Sequence, residues 1–392
     1  MDLTKKHTIM ITCARGLSSY VVAELDALNY PILEQRRSGV DIEGNIYDAM
    51  MLNLHLRSAY CVQILLHSFD CTDMDMFYRE VNKIWWERVI PPDSYVSVSG
   101  RADDDVVKNT MFLNMRAKDA IVDRIAEKTK RRPDSGSDRS KIVVNIYWYS
   151  GKCYVYLNTT GQKLSDRGYR KIPHYAPLQE SLAASILAAT GYNGSQELVL
   201  PMCGSGTLAV EAALIAQNRP PGLLRSNYAF MHYNKFDEEY WRELRVEARA
   251  QTDRKKKFKI VASDIDPAAV KAARQNAKTA GVDGLIDFEV CDFAKTAPPK
   301  EGGIVLMNPE YGIRLGEEKK LEPLYSKIGD YFKAECAGCK GYVFTGNFNL
   351  ARKIGLRTSK RMVFYNADIE CRLLEYELYK GTRKDKGQLS GE

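Results

Sequence analysis

ELVLPMCGSGTLAVEAALIA, residues 197–216, decides the fold. Four residues of strand character run into a turn, Pro201 to Gly206, and ten residues free of helix breakers follow. Gly204 and Gly206 let the chain turn tightly and leave no Cβ between the strand end and a ligand, while the helix start offers unbonded N–H groups. Strand, turn and helix make one βα unit, and the pattern repeats downstream. KIVASD (259–264) reads as a strand, PAAVKAARQNAKTAG (267–281) as a helix closed by a glycine, and IDFEVCD (286–292) and GGIVLM (302–307) as further strands. Such alternation implies a mostly parallel, doubly wound sheet. RMVFYNADIECRLLEYELYK (361–380) reads as a closing antiparallel pair, with a bulge expected at Leu373-Leu374 where the apolar phase slips.

Upstream the pattern differs. HTIMITC (7–13) reads as a strand, 16–28 and 46–57 as helices, and Tyr60–Phe69 as a strand. Val106 to Lys128 reads as a longer helix with Met111, Met115, Val122 and Ile125 as its apolar stripe and Lys118 off it. A hairpin follows, with Ile142, Val144, Ile146 and Trp148 on one face and a Ser150-Gly151 turn. LSDRGYRKIPHYAP (164–177) is basic, contains proline and lacks periodicity, which marks a boundary. Residues 218–257 read as an irregular basic insertion whose Lys255–Lys257 run is a solvated loop.

A chain of 392 residues exceeds one ordinary core, so two or three domains are expected. The net charge of +7 fits a nucleic-acid partner without requiring one. Nine scattered cysteines and no signal peptide point to reduced thiols in the cytoplasm. Cys336-Ala-Gly-Cys339 has no second Cys/His pair at a finger-like distance, so no metal site is expected. No apolar run approaches the ~20 residues that cross a bilayer, so no membrane partner is expected.

Three cofactors compete for the glycine turn. A P-loop is excluded because no GxxxxGK[ST] exists. A dinucleotide wants an acid about 20 residues on, and the next strand-end acid, Asp264, lies far beyond that. S-adenosylmethionine also needs a strand-end acid for its ribose hydroxyls, a place Asp264 holds, and Asp292-Phe293 one strand later would bond and stack its adenine. NPEYG (308–312) decides between them. The lone pair of an exocyclic amine is delocalised into its ring. Two acceptors on its two N–H bonds, the Asn308 side-chain oxygen and the Pro309 carbonyl, favour a pyramidal nitrogen aimed at the methyl group. Tyr311 offers a face to an extruded base.

PMCGSGTLAVEAALIAQNRPPGL, SDIDPAAVKAARQNAKTAG, NPEYGIRLGE and YNADIECRLLEYELY together resemble the THUMP-domain bacterial methyltransferases that modify a guanine N2 amine in 23S ribosomal RNA. The resemblance runs over nearly the whole chain. It implies an α/β protein with a ferredoxin-like module (1–60), a THUMP RNA-binding domain (61–163) and a basic linker (164–178). A Rossmann-like methyltransferase domain (179–382) and a disordered tail (383–392) would follow, without the second, fused methyltransferase of some relatives. It also implies that Met202, Cys203, Gly204, Ser205, Gly206, Thr207, Asp264, Ile265, Asp292 and Phe293 bind S-adenosylmethionine. Asn308, Pro309 and Tyr311 would hold the base. Lys118, Arg167, Arg170 and Lys171 are expected to touch RNA. The partner implied is 23S rRNA or a large-subunit assembly intermediate, with no obligate protein partner.

Two positions depart from the family pattern. Leu200 stands where an Asp is usual, and Glu310 where a second Pro is usual. Losing the Asp removes an acceptor for the cofactor's ammonium group. Two rival readings follow: an adenine-N6 methyltransferase on RNA or DNA, because the same loop serves any exocyclic amine, and a non-catalytic RNA-binding or assembly protein.

Overall fold

The computed structural model describes residues 2–104, 106–107, 109–172, 178–312 and 317–379; the expected tail and residues 173–177 of the expected linker lie outside them. The chain divides into two units, one of residues 1–166 with 220–250 and one of residues 167–219 with 251–392.

The first unit opens with β1 (His7–Cys13), α1 (Ser18–Ala27), β2 (Ile32–Arg36), β3 (Gly39–Gly44), α2 (Ile46–His55) and β4 (Ala59–Asp70). Asn45 and Asp48 close a reciprocal capping box on α2, which fixes where that helix starts. Then come α3 (Met74–Lys83), β5 (Tyr95–Asp103), α4 (Thr110–Thr129), β6 (Asp134–Ser135), β7 (Ile142–Tyr149) and β8 (Lys152–Asn158). The strands form one sheet in the order β2-β3-β1-β4-β8-β7-β5-β6. The twelve-residue β4 pairs with β1 on one side and β8 on the other, so the two expected modules share a single sheet.

The expected stripe of α4 holds at Val122 and Ile125 and fails in the first half of the helix. Met111 and Met115 are exposed, and the buried side is Leu113, Ala117, Ala120, Ile121, Val122 and Ile125. The helix starts at Thr110, where the Asn109 side chain accepts the Met111 N–H at 2.8 Å, rather than at Val106. Its buried face is built partly from alanines, which allow close packing and which a search for large side chains passes over.

The second unit contains α5 (Glu180–Thr190), β9 (Leu198–Pro201) and α6 (Thr207–Ala216). The chain then leaves it for residues 220–250, including α7 (Glu238–Ala250), which belong to the first unit. There the Arg225 guanidinium donates to the Lys163 and Gln162 carbonyls at 2.6 and 2.9 Å. Tyr233 donates to the Asn158 carbonyl at 2.8 Å, and Tyr228, Phe230 and Trp241 pack ring to ring. Most of the expected insertion is thus an ordered part of the N-terminal unit.

The second unit resumes with β10 (Ile260–Asp264), α8 (Pro267–Ala280), β11 (Asp287–Val290), β12 (Ile304–Met307), α9 (Glu317–Ala334), β13 (Lys340–Thr345), α10 (Phe348–Lys353), β14 (Lys360–Asn366) and β15 (Ile369–Glu377). The sheet order is β11-β10-β9-β12-β13-β15-β14, parallel from β11 to β13 and antiparallel beyond. The expected bulge at Leu373-Leu374 is absent, since β15 pairs with β13 and β14 in continuous register. Leu373 and Leu374 are both buried because β15 lies inside the sheet with both faces covered, so consecutive apolar residues need no change of phase. Among the described residues no helix is long and apolar enough to cross a membrane.

Candidate active site

Parallel pairing puts the C-terminal ends of β9, β10, β11 and β12 along one edge of the sheet. Val199 pairs with Val305, so Pro201 and Met307, each two residues on, end adjacent strands at the same level. The glycine turn and the 308–312 loop are therefore neighbours, about one strand spacing (~4.8 Å) apart at their roots.

The turn is tied to the next strand by its backbone. Cys203 N–H donates to the Ser263 carbonyl at 2.9 Å, and Gly204 N–H to Asp264 Oδ2 at 2.9 Å. The other Asp264 oxygen accepts the Asp266 N–H at 3.0 Å. Met202 takes the left-handed conformation at φ 59°, uncommon for a side chain of its size and typical of a functional turn. The two glycines do different work. A Cβ on Gly204 (φ 55°) would meet nothing within 4 Å and so would project into the open space over the strand ends. A Cβ on Gly206 (φ 80°) would sit 2.8 Å from the Ala273 Cβ, so that glycine serves helix packing, contrary to the expectation that both clear a ligand's path. Ser205 and Thr207 are buried, with the Ser205 carbonyl taking Asn276 Nδ2–H at 3.1 Å.

At the other strand ends Ile265 is 70% exposed, an apolar face beside the Asp264 carboxylate. Asp292 caps its own turn through the Ala294 N–H at 2.9 Å and pairs with Lys327 Nζ at 2.7 Å; that contact leads in holding its carboxyl below the usual range. Phe293 does not stand ready to stack on a ligand as expected. Its ring turns into the core against Tyr331, because residue 293 starts a 3₁₀ turn that presents Asp292 and tucks its neighbour inward. A glycine cradle open on the ligand side, with acceptors at two successive strand ends and an exposed apolar side chain between them, fits an adenosine carrying ribose hydroxyls and an exocyclic amine. Leu200, by contrast, is a core side chain.

In the 308–312 loop Asn308 and Tyr311 are half-buried, Pro309 is buried and Glu310 is exposed. The Tyr311 hydroxyl donates to Asn308 Oδ1 at 2.9 Å, so it fixes the amide and leaves the oxygen's other lone pair for a second donor. The Tyr311 ring meets Phe344 edge-on at 6.3 Å, and burial raises its hydroxyl pKa well above the ordinary value. Its ring therefore acts as a fixed wall, and its hydroxyl orients Asn308, a role the sequence reading missed.

The family described as UPF0020, RMKL-like, methyltransferase domain matches residues 167–375. The chain belongs to that family. The RlmL ferredoxin-like domain matches residues 8–62 and the THUMP domain residues 71–158. A Synechocystis protein, slr0064, provisionally named an RNA methyltransferase, is 32% identical over 94% of this chain and 96% of its own length. A ribosomal RNA large subunit methyltransferase K/L of Syntrophotalea carbinolica is 34% identical over 94% of this chain but 53% of itself, so the chain spans about half the length of the K/L relatives it matches. SMU.472, provisionally named a methyltransferase and crystallised with SAH, superposes with a TM-score of 0.88 at 26% identity, over 96% of this chain and all of its own.

In this RMKL-like unit two of the expected RNA contacts point inward. Arg167 is 1% exposed, with its Nε 3.5 Å from the equally buried Glu211. Arg170 pairs with Glu180 at 3.1 Å, donates to the Leu178 carbonyl at 2.6 Å and reaches Thr207 Oγ1 at 3.4 Å, at the first residue of α6. Basic residues in an aperiodic stretch look solvated until the carboxylates that meet them, 10 and 44 residues away in the chain, are known. Burial raises the Glu180 carboxyl to about 7 against the pull of Arg170. Lys171 stays exposed while its backbone N–H donates to Asn276 Oδ1 at 3.0 Å. Lys118 lies partly exposed on α4, 3.1 Å from Asp119.

Proposed function

We propose that the chain is an S-adenosylmethionine-dependent RNA methyltransferase that acts in the cytoplasm on a guanine N2 amine of 23S rRNA or a large-subunit precursor. The adjacency of the open glycine turn to the Asn308 loop carries this reading. The relatives' names and the SAH bound to SMU.472 support the cofactor and the RNA substrate.

Gly204, Asp264, Ile265 and Asp292 would hold the adenosine, and the cofactor supplies an electrophilic methyl group. The chain's own part is to position an amine. Asn308 Oδ1 and the Pro309 carbonyl each take one N–H and favour pyramidal nitrogen. No strong base is needed, because fixed dipoles stabilise the charge that develops on the amine. Tyr311 keeps Asn308 turned toward the substrate and limits where the base can lie. The first unit, with its THUMP match at 71–158, would grip RNA by shape and phosphates, and Lys118 and Lys171 remain candidates for that contact.

Calorimetry with S-adenosylmethionine, followed by methyl transfer into deproteinised 23S rRNA and nucleoside mass spectrometry, tests the reading. Micromolar binding and N2-methylguanosine are expected. N6-methyladenosine as product would favour the adenine reading, and absence of cofactor binding would favour a binding module.

A further inference from the structure

Two consecutive carbonyls of the 308–312 loop are held from outside it, one from α9 and one from just past the end of β13. Tyr325, a fully buried residue of α9, donates its hydroxyl to the Glu310 carbonyl at 3.0 Å, and its oxygen lies 2.8 Å from Thr345 Oγ1. Thr345, also fully buried, accepts the Asn347 backbone N–H at 3.1 Å. The directions are forced. A backbone N–H has only a proton to give and a carbonyl only lone pairs. Donation therefore runs from Asn347 N–H to Thr345, from Thr345 to Tyr325, and from Tyr325 to the Glu310 carbonyl. Each hydroxyl gives one bond and accepts one, an arrangement in which successive bonds polarise one another. Asn347 adds a second tie, since its Nδ2–H donates to the Tyr311 carbonyl at 3.0 Å. Its Oδ1 takes the Asn349 and Leu350 N–H groups, each at 3.0 Å, so the start of α10 fixes which way that amide faces.

We propose that Tyr325, Thr345 and Asn347 are positioning residues that aim the Pro309 carbonyl at the substrate amine; this rests on the methyl-transfer reading above. The Pro309 carbonyl lies in the peptide plane between residues 309 and 310. On one side the proline ring locks φ of residue 309. On the other, a second proline would lock φ of residue 310, and Glu310 does not. The Tyr325 bond instead holds the following peptide plane, so the 309–310 plane is stretched between two fixed neighbours. Burial pushes the Tyr325 hydroxyl up to about 12, so it keeps the proton it donates at ordinary pH.

Tyr325→Phe in the full chain removes one hydroxyl and keeps the ring that fills the core. The expected result is a fall in kcat of about tenfold, the scale of one buried hydrogen bond broken, with the S-adenosylmethionine Kd unchanged. Glu310→Pro added to Tyr325→Phe restores most of the lost kcat, because the ring replaces the missing constraint. Hydrogen exchange of the Tyr311 and Gly312 amides, present in both variants, rises in the single variant and falls back in the double variant, and this readout needs no activity. Wild-type exchange and kcat in Tyr325→Phe, or failure of proline to reverse either change, would overturn the inference. A wild-type protein that transfers no methyl group would contradict the parent reading, and the exchange data would still decide whether the loop is held as described.

Discussion

The turn at 201–206 and the loop at 308–312 end adjacent strands, and the two departures from the expected pattern lie there, Leu200 just before the turn and Glu310 within the loop. They are held in different ways. The turn is fixed through its own backbone N–H groups, Cys203 on the Ser263 carbonyl and Gly204 on the Asp264 carboxylate of β10. The loop is fixed by side chains, Tyr311 on Asn308 inside it and Tyr325 and Asn347 on its carbonyls from outside. Leu200 is buried in β9, while the Glu310 side chain is exposed. The turn therefore keeps its shape with a leucine at 200, and we propose that what the missing acid changes is the contact to the ligand's ammonium group. At 310 the carbonyl is held and the side chain is exposed, and we propose that what a proline would supply there is stiffness.

That division of labour can be broken in four places. Asn308→Ala should cost at least about a hundredfold in kcat, the usual scale for one preorganised charge-stabilising contact, and leave cofactor affinity unchanged. A shift in Kd instead would join the two loops into one site. Next in size are the glycines. Gly204→Ala should weaken S-adenosylmethionine binding by roughly tenfold or more with modest loss of Tm, whereas Gly206→Ala, pressed on Ala273, should lower Tm more than affinity. Calorimetry and thermal melts of both variants would expose the reverse pattern. Glu310→Pro should keep the same target within about tenfold in rate, or roughly 1.4 kcal/mol. An inactive enzyme, or one that accepts adenine, would show the Glu310 carboxylate to be part of the chemistry.

The smallest effect lies beneath the turn, at Glu180. Between about pH 4.5 and 7 the folded protein keeps a proton on Glu180 that the unfolded chain has lost, so this group's contribution to stability falls as pH rises through that window. The slope is at most about 1.4 kcal/mol per pH unit. Glu180→Gln should flatten it, giving a smaller Tm difference between pH 5 and pH 8 than wild type. An unchanged difference would mean that Arg170 keeps the carboxylate charged throughout.

Much of this was legible in the chain. ELVL, KIVASD and GGIVLM mark three of the strands that position the site, because buried parallel strands read as short apolar runs bounded by turn residues. IDFEVCD reads as a strand by the alternation of an exposed edge. NPEYG was legible as the loop that ends β12, because Asn-Pro breaks a strand. What did not read forward depends on distant partners. Arg167 and Arg170 look like RNA contacts until Glu211 and Glu180 are placed beside them. Within 220–250 only α7 carries a periodic signal, Trp241, Leu244 and Ala248 at helical spacing. Nothing local shows that aromatic packing and the Arg225 bonds to chain carbonyls tie the segment to the N-terminal unit. Thr345-Gly346-Asn347 follows a strand as Pro201 to Gly206 does, and Gly346 spares the Tyr311 ring, 3.1 Å from where its Cβ would stand. A glycine between two hydrogen-bonding side chains at a strand end was the available clue to the outer shell of the loop.

Nucleoside-resolved mass spectrometry of 23S rRNA from a strain lacking this gene, complemented with wild type or with Asn308→Ala, tests the central claim most directly. The account predicts that one N2-methylguanosine disappears on deletion, returns with wild type and stays absent with Asn308→Ala. Loss of an N6-methyladenosine in its place, full restoration by Asn308→Ala, or an unchanged methylation map would contradict it.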